Sequence, residues 1–121
     1  MKTIILAVLL CFSFNCFADE WSKADSYREA TYLTFLAVDW AQTRGQARNH
    51  WQGYYEMNPL LGSDSPSIDR VNIVCISTAI AHYYIAKALP EKWRTRFQYM
   101  AIGIEGSAVA HNFSIGVKAK F

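Results

Sequence analysis

The sequence has few cysteines and none of the familiar catalytic signatures. Two of its three cysteines, Cys11 and Cys16, lie near the N-terminus. If that segment is removed on export, Cys75 is left alone and an internal disulfide is excluded. The sequence contains no phosphate-binding loop, no GxGxxG, no HExxH and no GxSxG. Any active site must therefore be assembled from residues on different elements.

A strong excess of one charge is also missing. The chain has twelve lysines and arginines, of which Lys2 lies in the N-terminal segment, against ten aspartates and glutamates. No basic run interleaves with aromatic residues, so nucleic acid is not an expected partner.

The N-terminal residues 1–18 have the pattern of a secretory signal peptide. Lys2 precedes an apolar run from Thr3 to Phe14, and small residues, Cys16 and Ala18, occupy positions −3 and −1 of a cut after Ala18. We expect one domain over residues 19–121, because this length has room for no more.

Three apolar segments predict an all-α fold, a three-helix bundle with helices at about 26–44, 66–89 and 93–117. Spacing of apolar residues by three and four favours helix over strand in the first segment. Its predicted cap is Ser26 with Glu29 as the partner of a capping box. Ser65 before Pro66 predicts the second start, and Pro90 the second end.

The segment from Gly45 to Asp64 connects the first two predicted helices. Structureless loops of this length are uncommon in compact domains. Its apolar side chains, Trp51, Tyr54, Tyr55, Leu60 and Leu61, argue against disorder. We expect this loop to pack against the end of the bundle.

The lengths of the three segments suggest a membrane bundle. The second and third are long enough for a hydrocarbon core of ~30 Å at 1.5 Å per residue. We therefore expect an exported protein, with the inner membrane as the first expected location and the periplasm as the second. A mean hydropathy of only +0.02 speaks against three spans.

Polar residues inside the apolar segments, together with Glu56 from the connecting loop, are the candidates for chemistry. The candidate catalytic residues are Asp39, Glu56, His82, Glu105 and His111. Of these, His82, Glu105 and His111 are also candidate metal ligands, and no cofactor is expected. For the contacts between helices, residues are counted along the helix axis from Ser26, Arg70 and Arg96. The helix rise then predicts a His82–Glu105 contact and places Asp39 near His111 or Asn112. A structural hydrogen-bond network is the alternative role for these groups, and Cys75 is expected to be buried.

Two short motifs, Asp39-x-x-x-Thr43 and Glu56-x-Asn58-Pro59, carry a family resemblance. Together they resemble small helical membrane proteins of unknown function from bacteria and their phages. The resemblance covers about 25 residues. It implies three or four hydrophobic helices and supplies no activity.

The function predicted from these observations is that of a non-catalytic accessory protein of the bacterial envelope, with membrane lipid or an envelope protein as its partner. One alternative is a membrane enzyme or metal-binding protein with a polar site between helices. Another is a holin-like pore former, because three helices in about a hundred residues also suit that class.

Overall fold

The computed structural model describes residues 19–121, which form three α-helices and one 3₁₀ turn and contain no strand. Helix α1 is Lys23–Arg48, the 3₁₀ turn is Pro59–Leu61, α2 is Ile68–Ala88 and α3 is Glu91–Ser114. The predicted all-α three-helix fold is confirmed. The predicted signal peptide and its cleavage site lie outside the described residues, except for Asp19 just after the cut.

Helix α1 begins earlier and ends later than predicted. Its N-cap is Ser22, whose hydroxyl accepts a hydrogen bond from the Asp25 backbone, and the Asp25 carboxylate accepts one from the Ser22 backbone in return. This capping box replaces the predicted one at Ser26 and Glu29. Gly45 does not end the helix, because a single glycine inside a packed helix costs only about 1 kcal/mol. The helix continues to Arg48, and His50 and Trp51 then adopt positive φ.

The other predicted helix ends also shift. Ser67 caps α2 by accepting a hydrogen bond from the Arg70 backbone, so the helix starts after Pro66 rather than at it. Pro90 separates α2 from α3, as the sequence predicts, and stands at the N-cap of α3. Helix α3 ends at Ser114, before Gly116 with φ +89.

Helix α1 is the central element, since it packs extensively against both α2 and α3, which contact each other far less. A small apolar cluster of Leu61, Val71 and Cys75 lies where the 3₁₀ turn meets α2. The prediction that Cys75 is buried is confirmed.

The connecting loop packs against the bundle as predicted. The Trp51 ring is buried and its indole N–H donates to the Pro66 carbonyl at 2.9 Å. The Tyr54 hydroxyl donates to the Ile115 carbonyl at 3.0 Å, which ties the loop to the end of α3. The loop is thereby held across the same end of the bundle as the last turn of α3.

The interior of the bundle is unusually polar. Its largest fully buried side chains are Arg94, Gln42, Gln98, Val71 and Asp25. The outside carries large apolar side chains that are more than half exposed, among them Ile73, Ile80, Tyr84, Met100 and Ile104.

The prediction that the second and third segments cross a membrane is not supported. Within residues 19–121, no helix combines the length and the apolar character that a membrane crossing requires. Polar residues interrupt both helices, with Asn72 and His82 in α2 and Arg94, Gln98 and Glu105 in α3.

Candidate functional site

A cavity of about 700 Å³ lies between α1, α3 and the connecting loop. Four of the five candidate residues line it: Asp39 from α1, Glu56 from the loop, and Glu105 and His111 from α3. Its volume falls in the range of small-molecule pockets in proteins, which is about 300 to 1,000 Å³. Residues that sequence reasoning could only place on separate elements therefore share one concave site.

Both motifs of the family resemblance meet at this cavity. Asp39 and Thr43 lie one turn apart on α1 and both line it. Glu56, Asn58 and Pro59 line it from the loop. The Asn58 side chain accepts a hydrogen bond from the Leu60 backbone at 3.0 Å and so starts the 3₁₀ turn. The Glu56 carboxylate accepts from the Asn58 backbone at 2.6 Å, which fixes its position on the loop.

The Asp39 carboxylate is hydrogen-bonded to a side-chain amide rather than paired with a cationic side chain. The Asn112 side chain donates to the Asp39 carboxylate at 3.0 Å and to the Gln42 side-chain oxygen at 3.0 Å. The predicted proximity of Asp39 to Asn112 is confirmed. No lysine or arginine of the described residues lines the cavity, and none of them forms a salt bridge with Asp39, Glu56 or Glu105.

Burial without a cationic partner raises the pKa values of these carboxyl groups. Desolvation and the charge of Glu56 raise the pKa of Asp39 to about 6, against the hydrogen bond from Asn112. Desolvation and the charge of Asp39 raise the pKa of Glu105 to about 7. Desolvation also raises the pKa of Glu56. The cavity therefore holds carboxyl groups that exchange protons near neutral pH.

His82, the fifth candidate, lies elsewhere, and its predicted contact with Glu105 is wrong. Its Nδ1 atom lies 3.0 Å from the Glu29 carboxylate, and its ring stacks between Tyr32 and Phe97, with centroids 3.7 and 4.6 Å away. Helix rise explains the error, because α3 starts at Glu91 and not at Arg96. Glu105 is therefore ~21 Å from the α2–α3 junction, whereas His82 is only ~9 Å from it.

The three predicted metal ligands do not all come together. His82 contacts Glu29 and does not line the cavity that holds Glu105 and His111. Within residues 19–121, no three histidine, cysteine, aspartate or glutamate side chains are grouped so as to hold a metal ion.

A second polar cluster, which the sequence did not reveal, joins α1 to the start of α3. Arg94 is fully buried, and its guanidinium donates to the Asp25 carboxylate at 2.8 Å. It also donates to four backbone carbonyls, those of Asp19, Glu20, Ala86 and Leu89. Burial by itself would raise the pKa of Asp25, but hydrogen bonds from Ser22, Arg94 and Arg28 lower it to about 2. Every nitrogen of this guanidinium has a hydrogen-bond partner, so the cluster is structural.

A signal for this cluster was available in the spacing. Asp25 and Glu29 lie four apart near the start of α1, and Arg94 and Gln98 lie four apart near the start of α3. Residues four apart share one helix face, and in the structure the two pairs face each other, with Arg94 in contact with Asp25. The Gln98 amide indeed donates to the Glu29 carboxylate at 3.0 Å.

No protein-family model, curated protein or solved structure matches this chain. The cavity itself is therefore the basis for a functional proposal.

Proposed function

We propose that this chain is a non-catalytic binding protein of the bacterial envelope, whose ligand is a small molecule held in the cavity between α1, α3 and the loop. The observation that carries the proposal is the convergence of Asp39, Glu56, Glu105 and His111 on one cavity of about 700 Å³. Three separate elements supply these residues. In a purely structural network, each polar group would instead be expected to have its hydrogen-bond partner within the protein. The Arg94 guanidinium does have such partners.

The proposal is tested by filling the cavity. Ala108 lines it from α3, and Ala108→Phe would place a ring in its volume. Ala110→Phe makes the same change two residues away at an exposed position outside the lining. Both variants are compared with the parent chain in thermal unfolding with a panel of small cations, neutral compounds and anions.

We expect at least one class of the panel to raise the melting temperature of the parent chain and of Ala110→Phe, but not that of Ala108→Phe. Ligand at ten times its Kd adds about 1.4 kcal/mol to the free energy of unfolding. For a domain of this size, that raises the melting temperature by roughly 6 to 10 °C. A panel without effect on the parent chain, or with the same effect on Ala108→Phe, would contradict the proposal.

The proposal also includes the location of the protein in the cell. The signal-like pattern of residues 1–18 supports export, and the apolar outside of the bundle supports contact with membrane lipid. We expect the mature chain to be recovered with the membrane fraction and to begin at Asp19. Its intact mass tests the cut after Ala18, and a cytoplasmic chain that retains Met1 would overturn this part.

A second candidate is an enzyme that uses the same cavity. Asp39 and Glu105, on facing helices, have pKa values of about 6 and 7, and groups that exchange protons near neutral pH suit general acid–base catalysis. Turnover of a panel compound by the parent chain, lost in Glu105→Gln while binding persists, would favour the enzyme over the binding protein.

A further inference from the structure

We propose that the ligand of this cavity is a small organic cation, such as an amine, bound by the carboxyl groups of Asp39, Glu56 and Glu105. The inference rests on the proposed binding function and deepens it by naming the chemical class of the ligand. It is carried by the charge of the lining, the size of the cavity and the aromatic residues of the loop.

The charged side chains that line the cavity are acidic. Three acidic residues contribute to it, and the lining contains no lysine or arginine, with exposed His111 as the one basic side chain among the described residues there. Unpaired carboxylates in a partly buried site are costly, and a cation between them lowers that cost. An anionic ligand would instead add a further negative charge to the same site.

The size and shape of the cavity favour an organic cation over a metal ion. A volume of about 700 Å³ far exceeds that of a single ion, and the carboxyl groups come from three elements around its wall. No metal-holding group of side chains occurs in the described part of the chain. The acidic groups are therefore spread out, as an extended ligand requires.

Aromatic side chains supply part of the apolar wall of the cavity. Trp51, Tyr54 and Tyr55 line the cavity from the loop. The faces of such rings attract organic cations through the negative charge density of their π electrons. A ligand with a charged amine and an apolar body therefore matches both components of the lining.

A threonine hydroxyl adds a neutral polar group to the lining. Thr43 lines the cavity from α1, one turn after Asp39. A hydroxyl can both donate and accept hydrogen bonds, so it can serve the polar head of such a ligand.

The test compares three probes of nearly the same shape, namely benzylamine, benzyl alcohol and benzoate. Binding to the purified mature chain is measured by calorimetry at pH 7.5. We expect benzylamine to bind at least tenfold more tightly than benzyl alcohol, and benzoate not to bind. Asp39→Asn and Glu105→Gln should each weaken benzylamine about five- to tenfold and leave benzyl alcohol unchanged. The amide introduced by Asp39→Asn still offers an oxygen to the Asn112 side chain, so this variant keeps the hydrogen bond between the two helices.

Glu91→Gln is the matched control, because it removes one negative charge at an exposed position outside the cavity. It should change benzylamine binding by less than twofold. Equal binding of benzylamine and benzyl alcohol would overturn the inference and leave the binding function standing. The same conclusion would follow if only neutral or anionic panel compounds bound the parent chain and if Ala108→Phe abolished that binding. Absence of any ligand for the parent chain would overturn both.

Discussion

Replacing Arg94 by methionine should cost about 3 to 5 kcal/mol of the free energy of unfolding, because it strands the fully buried Asp25 carboxylate without its main cation. Methionine keeps most of the apolar stem, so the loss reports on the guanidinium rather than on packing. Four backbone carbonyls lose a donor at the same time. Urea denaturation of the purified mature chain measures the effect.

Arg96→Met is the control for this prediction. Arg96 lies two residues further along α3 and is exposed, with its guanidinium carbon 5.2 Å from the centre of the Trp93 ring. Its replacement should change the free energy of unfolding by less than about 0.5 kcal/mol. The double variant Asp25→Asn with Arg94→Met should lose less than the sum of the single losses, since the two groups contact each other. Equal costs for Arg94→Met and Arg96→Met would contradict the assignment of a buried ion pair.

Neutralising a cavity carboxyl group should have the opposite effect and stabilise the fold at alkaline pH. The pKa values of Asp39 and Glu105 are raised in the folded state, to about 6 and about 7. The unfolded chain therefore releases these protons at lower pH than the folded chain does. Stability is lost as pH rises from about 4 to about 7 and stays low above that range.

Asp39→Asn and Glu105→Gln each remove a group whose ionisation causes this loss of stability. At pH 8 each should raise the free energy of unfolding by on the order of 2 kcal/mol, and at pH 4 each should change it little. The gains are not additive, because the charge of Asp39 contributes to the raised pKa of Glu105. Asp64→Asn, at an exposed loop position, should have no such pH-dependent gain. Equal effects of Asp39→Asn at pH 4 and pH 8 would show that the ionised Asp39 carboxyl group does not destabilise the fold.

The helical fold could be predicted because the apolar segments repeat at helical spacing, with a proline between the last two. The start of the first helix was misplaced, because Ser22 with Asp25 and Ser26 with Glu29 both fit a capping box. Only the surrounding structure decides between them, and Asp25 is buried against Arg94. That contact joins residues far apart in the chain, so the few residues around each serine do not decide between the two caps.

The candidate site was predicted in its residues more than in its geometry. Asp39, Glu105 and His111 stand out as polar residues inside apolar segments, and Glu56 stands out in a short motif of the connecting loop. Their convergence depends on the path of the loop, which the buried Trp51 and its bond to Pro66 determine. The partner of His82 depended on where α3 starts, and an error of five residues moves a side chain by ~7.5 Å along the helix axis.

The most direct test of the cavity is the titration of its carboxyl carbons, followed by NMR of the mature chain labelled with ¹³C at aspartate and glutamate. Asp39 and Glu105 should titrate with pKa values of about 6 and 7, and Asp25 at about 2. Saturating benzylamine should lower the pKa values of Asp39 and Glu105 and leave that of Asp25 unchanged. Titration of Asp39 and Glu105 at the ordinary values of 3.8 and 4.5 would contradict a shared, partly buried acidic cavity.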